Sequence, residues 1–451
     1  MPQAALREAL LAAGLDFSPV EFEGDDPVLP IRYRVAAAAC GALGALGVAV
    51  RELSGKKQTI RVNARAAAVS LRSARYLRVN GKPPPPVWDP LSGFYPVGDG
   101  WISVHCNFRN HRDAAMRVLG AGRDRSRAEE ASRRWQGEAL EDAIHAAGGC
   151  AGHVRGESRW MGHAQAKAVG SQDLLEIERI GDAPAQALKG SRPLGGVRVL
   201  DLTRVLAGPT CAKSLAEHGA DVLKISAAHL PDNGMMDLDT GIGKRSARVD
   251  LRSEKEASLL KNLASQADVF VQSYRPGALA ARGFSPADLA ALRPGIVVAS
   301  LSAWGPTGPW RERRGFDSIV QAVSGIAQAN GDAAKPRLLP VSAIDYVSGY
   351  LMAFGVCVAL ARRAQLGGSW LVRVALARVG KWIVDRGEVS SYGGLPDDLP
   401  DAELSELMAE MDAPDGRVRY LKPVLGLSET PPYFARPPVP LGYHRPEWTS
   451  S

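Results

Sequence analysis

The chain has 451 residues, of which 45% are hydrophobic and 23% charged, with a formal net charge of +7. That length is more than one ordinary core accommodates, so two domains with extensions are expected, and the composition excludes wholesale disorder. The positive balance favours anionic partners, but the basic residues are scattered and no nucleic-acid motif accompanies them, which points to a small anion rather than nucleic acid.

Cys40, Cys106, Cys150, Cys211 and Cys357 lie far apart and form no C-x-x-C pair, so neither a disulfide framework nor a metal site is indicated. A reducing, cytoplasmic setting is expected from this usage.

In chain order, residues 1–30 read as a short helix and a loop. Apolar stretches at 35–50 and 350–361 are rich in Ala and Gly and fall short of the roughly 20 residues that span a bilayer. Both are therefore expected as buried helices, with no membrane partner. Residues 83–86 are four prolines, too stiff and donor-poor for a sheet centre. Gly98-Asp99-Gly100 is a tight turn leading into a strand at 101–104. Residues 111–150 look mostly helical, and the segment to about 190 is mixed.

From Gly196 the pattern becomes regular. Strands are expected at 197–202, 221–225, 268–271 and 296–301, with helices between them. Ser285-Pro286-Ala287-Asp288 has the form of a helix start, with an N-cap Ser and Pro at N1. A small-residue helix runs over 347–365, is stopped by Gly367-Gly368, and is followed by a strand at 370–375. Alternation of this kind implies a doubly wound parallel sheet, whose ligands bind beyond the C-terminal strand ends. The loops at 203–208, 226 onward, 272–277 and 302–308 are the expected site walls.

One internal repeat is visible: residues 31–65 can be laid over 343–377 without a gap, at a shift of 312 positions. Apolar helix, Gly-containing turn and strand follow in the same order. Tyr33 in the first copy stands where the second has Asp345.

Asp345 opens a helix within an apolar segment. A carboxylate there can cap the helix, satisfying backbone N–H groups and the dipole. It can also attack a thioester to give a mixed anhydride, splitting one hard acyl transfer into easier steps. The residues alone leave both readings open.

Several stretches resemble the class III (CaiB–BaiF type) CoA-transferases, in the family's order: VRVLDLTRVLAGP at 197–209, GADVLKI at 219–225, KRS at 244–246, YRPG at 274–277, GPTGP at 305–309 and PVSAIDYVSG at 340–349. The resemblance implies a Rossmann-like parallel-sheet large domain, a smaller α+β domain and an interlocked homodimer. It also implies a nucleophilic aspartate at Asp345, working through an aspartyl anhydride and an aspartyl-CoA thioester. CoA contacts are implied at Arg204, Val205, Leu206, Ala207, Lys244, Ser273, Tyr274 and Trp304, with Arg275 or Arg282 at its phosphates. Acyl-CoA and a carboxylic acid acceptor are the implied substrates, with no tightly bound cofactor and no metal.

GDGW at 98–101, NFRNHRD at 107–113 and GHVR at 152–155 resemble the family's small domain, which here precedes the large one instead of following it. The expected organisation is a degenerate partial copy over 1–82, a small domain over 83–192, the CoA-binding domain over 193–390 and a C-terminal extension over 391–451. Ser226 stands where the family usually has glutamate, Ala281 where arginine is frequent, and no glycine-rich loop follows Asp345. His105 and His111 read as structural.

Two other functions compete. An α-methylacyl-CoA racemase of the same superfamily needs a base on each side of the α-carbon, and its histidine would sit in a Gly-His-Asp triplet. Here that triplet is Gly315-Phe316-Asp317, and Phe316 cannot exchange a proton. The other alternative is a non-catalytic CoA-binding subunit.

Overall fold

Strands rich in Val, Leu and Ile, buried on both faces, suit the interior of a parallel sheet. Seven strands make the principal sheet of the computed structural model, which describes residues 1–332 and 334–449. Their order is Arg245–Arg248, Asp221–Ser226, Arg198–Leu202, Val269–Gln272, Val297–Ser302, Ser369–Ala375 and Glu176–Gly181. All pairings are parallel except the last. This is the α/β large domain expected from residue 196 onward.

The seventh strand corrects a boundary. Glu176–Gly181 lies within the expected small domain, yet it pairs with Ser369–Ala375 in the large sheet. Its Glu176, Glu178 and Arg179 suit a half-exposed edge, where charged side chains discourage pairing with another chain. Gln165, also upstream of the expected boundary, donates to Trp304 O and Thr307 O of the large domain.

The rest of the small domain is α+β as expected. Gly93–Val97, Gly100–Val104 and Ala151–His153 form an antiparallel sheet. The helices Arg109–Leu119, Arg125–Ser132 and Gly137–Ala146 pack on it over a core around Tyr95, Ile102, Leu140 and Ile144. The buried Arg155 guanidinium is matched by Glu141 at 2.7 Å.

The repeat is reproduced in the backbone. Helices Val35–Ser54 and Ala343–Leu366 end at positions 312 residues apart, and the helices Ala64–Ser70 and Leu376–Asp385 begin 312 residues apart. Between them, Ile60–Asn63 corresponds to the last four residues of Ser369–Ala375. The first copy's strand does not join the large sheet. It pairs instead with Glu21–Glu23 and Leu425–Leu427.

The two long helices pack against one another in the main core. Both are longer than their apolar stretches suggest, and each is long and apolar enough to cross a bilayer, but their most apolar windows are 89% and 100% buried inside the fold. Small residues let neighbours approach closely. A Cβ on Gly41 would lie 2.5 Å from that of Ala5, and one on Gly349 would lie 2.6 Å from Ala207 O. The accessible surface is 17990 Å², against about 16,500 Å² for a folded monomer of this mass. The chain covers its own core helix without a second copy.

The segment after 391 is more than an appendage. Met408–Ala413 and Gly416–Leu421 form a hairpin that also pairs with Arg78–Val79. The tail then crosses the open edge of the large sheet, where Gly243 N donates to Arg436 O at 3.0 Å and His444 N to Ser246 O at 2.7 Å.

Candidate active site

The C-terminal ends of the parallel strands carry two adjoining cavities. The first, of about 170 Å³, is lined by Leu202, Ser226, His229, Asp250, Tyr274 and Arg282 among others. The second, of about 360 Å³, lies behind Val269–Gln272 and Val297–Ser302 and includes Tyr274, Arg275, Ser300 and Ser302. Tyr274 belongs to both, so the two form one bent groove where an open α/β sheet binds its ligands.

The loop 204–207 enters the helix Ala207–Glu217 through a strained residue. Val205 has φ +71°, a left-handed conformation that a β-branched side chain adopts only at a cost. Arg204 donates through Nη2 to Pro231 O at 2.7 Å, and its guanidinium lies 5.1 Å from the Phe108 ring centre. Leu206 and Ala207 are buried. Ser273 Oγ receives the Arg204 N–H at 3.4 Å, and Arg282 donates to Leu251 O at 2.5 Å.

Two expected CoA contacts, Lys244 and Trp304, are enclosed by the protein's own side chains. Lys244 is 1% exposed, and its Nζ is 2.8 Å from both Asp201 Oδ2 and Pro209 O. Burial pulls the Lys244 pKa down to about 8, opposed by Asp201. Burial alone would raise Asp201, yet Lys244, Lys224 and Thr203 hold it below its ordinary value. An ammonium so enclosed ties the strand Arg198–Leu202 to the helix Ala207–Glu217. Trp304 is likewise 1% exposed, wedged against Trp310 and Trp160, with Nε1 donating to Arg314 O at 3.3 Å.

Asp345 lies in the first turn of Ala343–Leu366, buried at 7% exposure. Its own N–H donates to Asp317 Oδ2 at 3.1 Å. The other Asp317 oxygen receives the Gln321 amide. Two carboxyl groups thus share one dry corner. Burial pushes Asp345 well above the ordinary carboxylate range, and the Asp317 charge pushes the same way. Asp317 itself is pushed up to about 6 by burial, against the Gln321 amide and the Asp345 and Ile344 N–H groups. The pairing was not anticipated: the sequence drew attention to Phe316 and passed over its neighbour.

The first copy and the small domain both reach this corner. Leu71 O accepts the Ser342 N–H at 3.0 Å, and Ser73 Oγ stands 3.2 Å from Tyr346 Oη. From the small domain, His105 stacks on Phe316 with ring centres 4.0 Å apart and planes 9° apart. Burial drives the His105 pKa down to about 3, so the ring is neutral.

Residues 194–387 match the model of CoA-transferase family III. Over that segment the chain is similar to the family. The α subunit of a succinyl-CoA–L-malate CoA-transferase of Chloroflexus aurantiacus is 32% identical over 218 residues, covering 45% of this chain and 50% of that one. An acyl-CoA transferase of Gibberella moniliformis is 27% identical over 431 residues, covering 83% of this chain and 75% of that one. A CAIB/BAIF family protein of Brucella suis, solved by crystallography, aligns at 26% identity over 50% of this chain and 65% of that one, with a TM-score of 0.41.

The family III region spans about half the length of the Chloroflexus relative. The Gibberella alignment runs through most of both chains, so this order of segments is shared by a relative and is not a peculiarity of one sequence.

Proposed function

We propose that this family III protein transfers CoA between carboxylic acids, with Asp345 as the nucleophile. The supporting observation is the position of Asp345: a carboxyl in the first turn of the core helix, inside the family III segment, held by the Asp317 contact at 3.1 Å. The groove at the strand ends offers room for CoA along Ser226, Tyr274, Arg275 and Arg282.

The chemistry balances as follows. The ionised Asp345 carboxylate attacks the thioester carbonyl; a C–O bond forms, the C–S bond breaks, and CoA leaves as thiolate. The thiolate then attacks the aspartyl carbonyl of the mixed anhydride, releasing the first acid and leaving an aspartyl-CoA thioester. The second acid's carboxylate attacks that thioester, re-forming an anhydride and freeing the thiolate. The thiolate takes the new acyl group, and Asp345 is restored. Each step exchanges one acyl leaving group for another.

CoA and acyl-CoA are then substrates, not resident cofactors. The homodimer that the family resemblance implies would have to form on other surfaces, since Val35–Ser54 already covers the core helix. Phe316 counts against proton exchange at an α-carbon. The burial of Asp345 favours, as second reading, a CoA-binding subunit without turnover.

Incubation with a panel of acyl-CoAs, trapping with hydroxylamine or borohydride, and peptide mass mapping tests this directly. An adduct at Asp345 supports transfer. Deuterium exchange at the α-carbon without an adduct means racemisation, and bound CoA without either leaves the binding subunit.

A further inference from the structure

Three parts of the chain turn oxygen-bearing side chains toward one small cavity, away from the groove at the strand ends. On the helix Ala207–Glu217, Thr210, Ser214 and Glu217 recur at the spacing that shares a helix face. Tyr346 and Tyr350 do the same on Ala343–Leu366, and Ser70 and Ser73 come from the first copy. The cavity they line measures about 40 Å³, and its apolar wall includes Leu43 of the first copy and Phe434 of the tail. That is room for an ion the size of a water molecule with a water beside it.

The hydroxyls opposite Ala207–Glu217 have partners. Tyr350 Oη donates to Ser70 Oγ at 2.9 Å, and Ser73 Oγ donates to Asp239 Oδ2 at 2.6 Å. The oxygens on Ala207–Glu217 do not. Thr210 is 2% exposed and its Oγ1 has no hydrogen-bond partner. Among the described residues, no donor reaches the Ser214 hydroxyl or the Glu217 carboxylate. The Lys213 ammonium, one turn from Glu217, lies 3.0 Å from Asp239 Oδ1 instead. The His218 ring is 3.7 Å from Glu217, but burial pulls its pKa down to about 3 and keeps it neutral. Lys422 is exposed and donates to Glu406 O. Burial pushes the Glu217 carboxyl up to about 8, opposed by Lys213 and Arg192. With Lys213 and Asp239 offsetting one another, the cavity keeps the single negative charge of an ionised Glu217. A buried carboxylate and a buried hydroxyl without partners are both costly.

We propose that this cavity is a site for a monovalent cation, held by the Glu217 carboxylate, Thr210 Oγ1 and Ser214 Oγ. Hard oxygen donors with one carboxylate among them suit a single positive charge, whereas divalent ions draw on more carboxylates or on phosphates. A bound ion joins the helix Ala207–Glu217 to the core helix, the first copy and the tail. It therefore acts on stability whether or not Asp345 is a nucleophile.

Thermal unfolding of the full chain at equal ionic strength, in potassium, ammonium, sodium and choline chlorides, tests the site. At least one of the small cations should raise the midpoint by about 2–4 °C over choline, and the rise should saturate with concentration. The salt that gives the largest rise identifies the ion. Glu217→Gln should abolish the saturable rise. Thr210→Val, which removes one oxygen at nearly the same shape, should raise the half-saturating concentration about 10-fold. Crystals of the wild type soaked in thallium(I) should show anomalous density in the cavity, a readout that needs no variant to fold. Equal midpoints in all four salts overturn the proposal, as do a rise that persists in Glu217→Gln and thallium density that avoids the cavity.

Discussion

Helices Val35–Ser54 and Ala343–Leu366 are built on one plan: a small-residue apolar helix, a glycine stop, a short strand and a second helix at the same spacing. Each also has a carboxylate from outside the helix at its N-terminus. Asp26 accepts from Ala36 N at 2.9 Å and Ala37 N at 2.7 Å, as Asp317 accepts from Asp345 N at 3.1 Å. The two caps are not at equivalent positions of the repeat, but both arise because an apolar helix start needs its N–H groups satisfied whether or not chemistry happens there. What differs is the residue at the nucleophile's position, Tyr33 against Asp345, and the surroundings. The first copy's strand sits in a separate three-stranded sheet, parallel to Glu21–Glu23 and antiparallel to Leu425–Leu427. Capping and catalysis are thus separable parts of one motif.

The largest effect that can break this comparison is Asp345→Ala. Loss of a covalent nucleophile should lower acyl transfer by at least about 10³-fold. Adding Tyr33→Asp to that variant should restore nothing, since position 33 precedes its helix instead of lying in the first turn and falls outside the segment that matches family III. Steady-state transfer rates in the single and double variants check both halves. Recovery in the double variant would mean that the first copy is a second active site.

How much of this was legible in sequence follows from range. The parallel strands from 197 on, the core helix and the repeat rest on local periodicity; the expected strands stand within a residue of their observed places, and the core helix begins at Ala343, four residues before its expected start. The hairpin at 408–421 has a local signal too, Asp415-Gly416 between its two strands. The strand Glu176–Gly181 has no clean alternation, and nothing local says which sheet it joins. Lys244 illustrates the limit most sharply. Its partner Asp201 is 43 residues away, and a buried ion pair looks, in one dimension, like a phosphate-binding lysine. Asp317 and Asp345 are 28 residues apart, and no spacing rule brings them together.

The close helix contacts sharpen the comparison next. A methyl on Gly41 would meet Ala5 and the Leu6 backbone, and one on Gly349 would meet Ala207 O and Thr210. Both contacts involve backbone, so neither neighbour can simply rotate away. Gly41→Ala and Gly349→Ala should each cost about 1–3 kcal/mol in denaturant unfolding. Only Gly349→Ala pushes on the start of the helix that follows the 204–207 loop, so only it should also raise the KM for acyl-CoA. Equal kinetic effects of the two would detach the loop from the second copy's helix.

The cap carboxylates give the smallest and most discriminating difference. Burial raises Asp26 to about 6, and the same cause raises Asp317 to about 6. A carboxyl with a raised folded-state pKa contributes stability that is present below its unfolded value, near 4, and is lost as pH rises through 6. Between those limits the unfolded state binds fewer protons, so each group tilts stability downward by at most about 1.4 kcal/mol per pH unit. Asp26→Asn and Asp317→Asn should each remove one such slope from unfolding free energies measured across pH 4–7. Their effects on activity should part. The Asp317 charge helps to hold Asp345 protonated, so Asp317→Asn should move the acid limb of acyl-enzyme formation to lower pH, whereas Asp26→Asn should leave that limb in place. Coincident profiles for the two variants would show that Asp317 serves only as a helix cap, as Asp26 does, and that the two copies differ in the nucleophile alone.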